Sequence, residues 1–195
     1  MFALRGALAL VFIAGASASS CSSDHATAGS ATPTTTSIAS PPSTTAAIKL
    51  SCRDAIGTTS EPDAKFSDVF GVVALPTRTA LQANTSGESG DRRLFAKQGL
   101  LVRSAAAPFE LIVPAEWVGR VWIGWGSPAT ITNHLTVSGC RSKVASQRWL
   151  AFAGGYWVGT TACVPLTIKT DDHVRTVRIG IGRACPGQQP PPRGT

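Results

Sequence analysis

Between residues 69 and 182 the apolar residues come in short runs, which are rich in Val, Ile, Phe and Trp and are separated by Gly, Pro, Asn and Asp. Runs of this length and composition are typical of β-strands joined by turns. No stretch of ten or more residues in this region keeps a helical period. The pattern predicts nine strands, at residues 69–75, 94–103, 109–113, 120–125, 134–137, 148–153, 156–159, 164–169 and 174–182.

Apolar residues alternate along several of these runs, which places them on one face of a strand. The sets that should share a face are Phe109, Leu111 and Val113; Val121, Ile123 and Trp125; and Val177, Ile179 and Ile181. Gly154-Gly155 and residues 170–173 are predicted hairpin turns. We therefore expect an all-β, antiparallel β-sandwich of about eight to nine short strands, with a barrel as the second choice.

The first 20 residues have the order of a signal peptide. Arg5 precedes an apolar run at residues 7–16, and small residues follow at 17–20. The run of about ten residues is shorter than the ~20 needed to span a bilayer. Cys21 comes next and resembles the lipobox cysteine of bacterial lipoproteins, which carries acyl chains such as palmitate. We expect a lipid anchor on Cys21, with cleavage and secretion as the alternative.

Residues 22–47 contain 13 Ser or Thr, 6 Ala and 3 Pro, with Ile38 as the one large apolar residue. Such a segment cannot bury enough surface to offset its ordering entropy, so residues 21–47 should form an anchor and a disordered tether. The folded domain is expected at residues 48–185. A proline-rich tail at residues 186–195 is expected to be disordered.

The chain has five cysteines, an odd number. If Cys21 is acylated, an even set remains in the domain, and an exported compartment permits two disulfides. Three pairings are open; we favour Cys52 with Cys185, joining the domain ends, and Cys140 with Cys163. A zinc site is disfavoured because structural sites use short paired spacings. No metal or cofactor is expected.

Four segments resemble those of exported proteins and lipoproteins of high-GC Gram-positive (actinobacterial) bacteria, a family to which no activity is assigned. They are residues 109–114 (Phe-Glu-Leu-Ile-Val-Pro), 119–126 (Gly-Arg-Val-Trp-Ile-Gly-Trp-Gly), 152–157 (Phe-Ala-Gly-Gly-Tyr-Trp) and 162–167 (Ala-Cys-Val-Pro-Leu-Thr). The resemblance covers roughly residues 71–187. It implies an envelope location and a β fold, and it carries over no catalytic residue.

The basic residues are concentrated in the C-terminal half, where residues 118–195 hold nine Lys or Arg against two acids. A basic surface attracts anions, and the polyanions available to an exported protein are lipid headgroups and envelope polymers rather than nucleic acid. The candidate residues are Arg148, Arg175, Arg178 and Arg183. Because Arg175 and Arg178 are three apart on a predicted strand, they should point to opposite faces. Arginines scattered over a solvated face remain the alternative.

All five tryptophans fall between residues 117 and 157. An exposed ring could stack on a sugar or lie at a membrane interface. Alternation places Trp125 inward and Trp122 on the opposite face, so Trp122 and Trp157 are the candidate binding aromatics. Burial in the core is the alternative for both.

Enzyme motifs are poorly represented, and we expect the protein not to be an enzyme. A triad would have to combine Ser89 with His134 or His173 and an acid such as Asp68 or Asp172. The sequence therefore predicts a cell-envelope lipoprotein, exported to the outer face of the membrane, that binds an envelope protein, an anionic lipid or a glycan. The alternatives are a secreted hydrolase that uses His134 or His173, and a purely structural spacer.

Overall fold

The computed structural model describes residues 46–87 and 91–192. Over these residues the chain is all-β, with fourteen strands and two single-turn 3-10 helices, Cys52–Asp54 and Ala115–Trp117. The strands are β1 (Ile48–Leu50), β2 (Ala55–Thr59), β3 (Ser67–Val69), β4 (Val73–Leu75), β5 (Asn84–Thr85), β6 (Leu94–Lys97), β7 (Leu100–Arg103), β8 (Phe109–Ile112), β9 (Val121–Trp125), β10 (His134–Val137), β11 (Trp149–Phe152), β12 (Gly154–Val158), β13 (Ala162–Lys169) and β14 (Val174–Ile181).

The strands form three sheets. The first has the order β1-β10-β8-β13-β14, the second β2-β11-β7-β4-β3 and the third β5-β6-β12-β9. Neighbouring strands are antiparallel except β1 and β10, which are parallel. One apolar core contains residues from all three sheets. The predicted β-sandwich is confirmed, and none of the three sheets described closes into a barrel.

The predicted alternation is confirmed in the core. Within each of the three sets expected to share a face, all three side chains are buried: Phe109, Leu111 and Val113; Val121, Ile123 and Trp125; Val177, Ile179 and Ile181. The hairpin predicted at residues 170–173 also forms, because the Thr170 amide donates to the His173 carbonyl at 2.9 Å and β13 pairs with β14 throughout.

The hairpin predicted at Gly154-Gly155 is wrong. β11 and β12 do not pair with each other; β11 belongs to the second sheet and β12 to the third, and their partners β7 and β6 are divided in the same way. These glycines instead allow neighbouring strands to lie close to the backbone of β12. A Cβ on Gly154 would lie 2.8 Å from the Cα of Trp125, and one on Gly155 would lie 2.8 Å from the Phe95 ring.

The strand predicted at residues 69–75 is interrupted by a turn between β3 and β4. Phe70 and Gly71 both have positive φ, 57° and 67°, as in the two-residue turns that connect tight hairpins. Phe is a rare residue at such a position, so composition pointed to a continuous strand.

The disulfides are Cys52–Cys140 and Cys163–Cys185, so the favoured pairing is wrong. The parallel pairing of β1 with β10 sets Leu50 opposite Val137, and Cys52 and Cys140 follow these residues closely. Cys163 lies on β13, and the chain turns back after β14 to bring Cys185 beside it. All four domain cysteines are therefore bridged. Two disulfides indicate an oxidising, non-cytoplasmic environment.

The tail predicted to be disordered is ordered at residues 186–192, which pack on the domain. The Gln188 side chain accepts from the amides of Gly180 and Cys185, both at 3.1 Å, and donates to the carbonyls of Thr77 and Arg178, both at 2.9 Å. Four hydrogen bonds to backbone groups hold this segment, and composition alone does not reveal them.

Other predictions concern residues that the structure does not describe. The signal peptide, Cys21 and nearly all of the tether precede residue 46, and Ser89 and residues 193–195 also lie outside the described residues. Within residues 46–87 and 91–192, no helix is long and apolar enough to cross a membrane.

Candidate ligand-binding grooves

The outer face of the third sheet carries a row of aromatic residues across neighbouring strands. Strand register sets Phe95, Trp157 and Trp122 directly opposite one another on β6, β12 and β9. The rings of Phe95 and Trp157 lie 4.5 Å apart, and the Trp157 ring lies over Gly124, where a Cβ would be 3.2 Å away. Trp157 is only 7% exposed. The proposal of Trp157 as an exposed binding aromatic is therefore wrong, because Phe95 and the sheet surface enclose its ring.

Trp122 points away from the core, as alternation predicts, and is half-buried. The Arg93 guanidinium lies over its ring at 4.9 Å. Asp91 fixes that guanidinium through two short contacts, Nε to Oδ1 and Nη2 to Oδ2, both 2.9 Å. These hydrogen bonds from Arg93 lower the pKa of Asp91 to about 2. One side of the Trp122 ring is thus occupied by a paired cation.

The four candidate arginines differ in their partners. Arg148 is paired with Glu61, Nη2 to Oε1 at 3.4 Å, at an exposed position where such pairs contribute little. The side chains of Arg175, Arg178 and Arg183 are exposed and form no hydrogen bond or ion pair with any residue of the described domain.

Arg175 and Arg178 lie on opposite faces of β14, as expected, because Arg175 is on the face of the buried Val177 and Arg178 is on the other. Both nevertheless line one groove. They lie on β14, the edge strand of the first sheet, and side chains from both faces of an edge strand can reach a groove along that edge. The groove has a volume of about 220 Å³, and Ser67 and Val69 of β3 form its opposite wall. We call it the arginine groove.

A second groove of about 430 Å³ lies where β5 and β6 meet the segment around residue 80. Phe95 and Leu81 give it an apolar surface, and Lys65 and Lys97 give it charge. Its other polar side chains are amides and hydroxyls, from Thr79, Gln82, Asn84, Thr85 and Gln98. We call it the lysine groove. Its size and its mix of one aromatic ring with a few polar groups are typical of small-ligand sites.

A third groove, of about 500 Å³, is lined by Trp117, Arg120 and Arg183. The Arg120 guanidinium lies 4.7 Å from the Trp117 ring centroid and donates to the Glu116 carbonyl. We call it the tryptophan groove. Cys163 of the second disulfide also lines it.

His134 is hydrogen-bonded to Glu110, Nε2 to Oε2 at 2.6 Å, and Lys169 contacts the other oxygen of Glu110 at 3.2 Å. The His134 hydrogen bond, followed by Lys169, lowers the pKa of Glu110. His173 instead contacts the Phe70 ring at 5.1 Å. In the described residues no serine hydroxyl is hydrogen-bonded to either histidine. Among the described residues, the hydrolase alternative thus has a histidine–carboxylate pair to which no serine is hydrogen-bonded, and Ser89 lies outside those residues.

Sequence reasoning missed Lys65, Phe95 and Lys97, which the fold brings together from distant parts of the chain. Their spacing matches no motif, and only the pairing of β5 with β6 and the return of the segment near residue 80 unite them.

Comparison with protein-family models, with curated proteins and with solved structures finds no match to this chain.

Proposed function

We propose that this protein is a cell-envelope lipoprotein, anchored through Cys21, whose β-sandwich binds an anionic glycan of the envelope. The order of charged, apolar and small residues before Cys21 is that of a signal peptide, which supports the envelope location. The two disulfides agree with an exported location. The binding activity rests on the grooves.

One observation carries the anion preference. The lysine, arginine and tryptophan grooves are each lined by two cations and by no carboxylate. A fourth groove, of about 340 Å³, is lined by two lysines and also by Glu110 and Asp171. The lysine, arginine and tryptophan grooves therefore differ from it in having cations and no carboxylate. Concave sites of one charge sign concentrate the field and attract ligands of the opposite sign.

The lysine groove favours a glycan over a lipid surface. A membrane interface calls for protruding apolar residues, whereas Lys65 and Lys97 line a recess. The recess offers an aromatic ring for the apolar face of a sugar, and amides and hydroxyls for its hydroxyl groups. Neither lysine forms an ion pair within the described residues. The Lys65 Nζ lies 5.5 Å from the centroid of the Phe66 ring, which leaves its charge without a carboxylate to neutralise it.

The test is calorimetric titration with polygalacturonate, a linear acidic polysaccharide, against neutral dextran at physiological salt. We expect polygalacturonate to bind and dextran not to bind. The double variant Lys65→Gln/Lys97→Gln should bind roughly tenfold more weakly, because about 1.4 kcal/mol of charge-assisted contact corresponds to one decade of affinity.

The matched control is Arg141→Gln/Lys143→Gln, which removes two charges at positions that line none of the four grooves. An equal loss in the control would mean that net charge alone attracts the polymer. Tighter binding to phosphatidylglycerol vesicles than to polygalacturonate, lost in Lys65→Gln/Lys97→Gln, would replace the glycan with an anionic lipid.

A further inference from the structure

We propose that the lysine groove and the arginine groove are one continuous track for a linear polyanion, joined by Arg78. This inference rests on the proposed function and gives its ligand a shape: a chain with repeated negative charges instead of a single acidic sugar.

The two grooves share a wall. Lys65 and Thr79 line the lysine groove, whereas Ser67 and Thr77 line the arginine groove. Each pair is two residues along the chain from the other, so at most about 7 Å separates their Cα atoms. The two segments are fastened together, since the Arg78 amide donates to the Lys65 carbonyl at 3.2 Å and the Thr77 hydroxyl donates to the Ser67 hydroxyl at 2.8 Å.

Arg78 lies at the junction, between Thr77 of one groove and Thr79 of the other. Its side chain is exposed, and its Nε is 3.4 Å from the Ser67 hydroxyl. Within the described residues it has no carboxylate partner. The guanidinium is therefore held at the boundary of the two grooves with its charge open to a ligand.

The segment at residues 186–192 forms a second wall common to both grooves. Pro186 and Gln188 line the arginine groove, and Pro192 lines the lysine groove. Gln188 bonds to backbone on both sides, at Thr77 and at Arg178, and the Gln82 amide donates to the Pro192 carbonyl. The relative position of the grooves is thus fixed before any ligand binds, which lowers the entropic cost of binding.

Five cations follow one another over the two grooves: Lys97, Lys65, Arg78, Arg178 and Arg175. None is in an ion pair in the described part of the chain. The nearest acids in sequence are Asp63, which accepts from the Lys65 amide; Asp68, which contacts Arg103 at 3.8 Å; and Asp171 and Asp172, which precede Arg175 by four and three residues. None of them lines either of these two grooves. A ligand with one charge would use one groove, so this series of unpaired cations suits a ligand whose charges repeat.

The experiment compares a disaccharide and a decasaccharide of galacturonate by calorimetry. The track predicts that the decasaccharide binds one to one and about 10²-fold more tightly, because the second groove is engaged within the same molecule. Arg78→Gln should cut this gain roughly tenfold. Arg78→Lys should restore most of the gain, and Arg141→Gln should have no effect. Thermal unfolding of each variant checks that the fold is intact.

The outcomes separate the two proposals. If the decasaccharide binds no more tightly than the disaccharide, or if Arg78→Gln has no effect on the gain, the grooves act separately; the track is wrong and the proposed function stands. A gain that depends on Arg183 in the tryptophan groove, rather than on Arg78, also overturns the track. If neither sugar binds, the proposed function itself fails.

Discussion

The hydroxyl of Tyr156 is buried in the core, and no described residue hydrogen-bonds to it. The side chain is fully buried between the sheets, with its ring edge-on to Trp125 at 5.3 Å, and burial raises the pKa of the phenol. The ring therefore contributes packing. Its hydroxyl loses the hydrogen bonds that it would make to water, and no hydrogen bond within the described residues replaces them.

Replacing Tyr156 with Phe should stabilise the protein. An unpaired buried hydroxyl costs about 1–3 kcal/mol, and Phe keeps the ring and its contact with Trp125. We expect the free energy of unfolding to rise by about 1 kcal/mol, measured by urea denaturation with the disulfides intact. Tyr156→Leu, which also loses the ring, should be destabilised instead. A clear loss of stability in Tyr156→Phe would mean that the hydroxyl has a partner, such as a buried water.

At this scale, alternation along a strand was the reliable guide. It placed Trp125 inward and Trp122 outward correctly, because both follow from the position of Val121 and Ile123 on β9. It could not foresee that Trp157, also on an outer face, would be covered by Phe95. Covering depends on which strand lies alongside, and that is decided by residues far away in the sequence.

The two disulfides constrain elements of different kinds. Cys52–Cys140 closes a loop with a sequence separation of 88 and ties the parallel β1–β10 pair at its end. Cys163–Cys185 has a separation of 22 and ties β13 to the chain after β14. In the chain-entropy account of disulfides, the longer loop restricts the unfolded chain more.

Removing Cys52–Cys140 should therefore cost more stability than removing Cys163–Cys185. The loop lengths correspond to about 4.6 and about 3.4 kcal/mol, a difference of about 1 kcal/mol. The measurement is urea denaturation of Cys52→Ala/Cys140→Ala beside Cys163→Ala/Cys185→Ala. The reverse order would show that contacts of the native state, rather than loop entropy, dominate.

The bounds of a strand were predictable where its apolar residues alternate over several positions. β8, β9, β13 and β14 lie close to their predicted bounds. The strands that were missed are short: β1, β2 and β5 have three, five and two residues. β1 is the strand that aligns Cys52 with Cys140. Because β1 was not predicted, the disulfide pairing was predicted wrongly. The lysine and arginine grooves were out of reach because the fold brings their walls together from distant parts of the sequence, including the short strands β3 and β5.

The whole molecule, as we propose it, is a folded domain held at the membrane by Cys21. The intact mass of the protein recovered from its native envelope tests this directly. We expect a mass that fits diacylated Cys21, and on reduction a gain of two hydrogens for each of the two disulfides. An unacylated chain recovered from the medium would contradict the anchor and leave a secreted binding protein.

Residues 186–192 follow all fourteen described strands in sequence, yet they line both grooves of the proposed track. In the export that we propose, these residues therefore leave the cell after the strands that form the sheets. The sheets can pair before the second wall of either groove is in place, so the proposed polymer-binding surface is completed later than the fold that carries it.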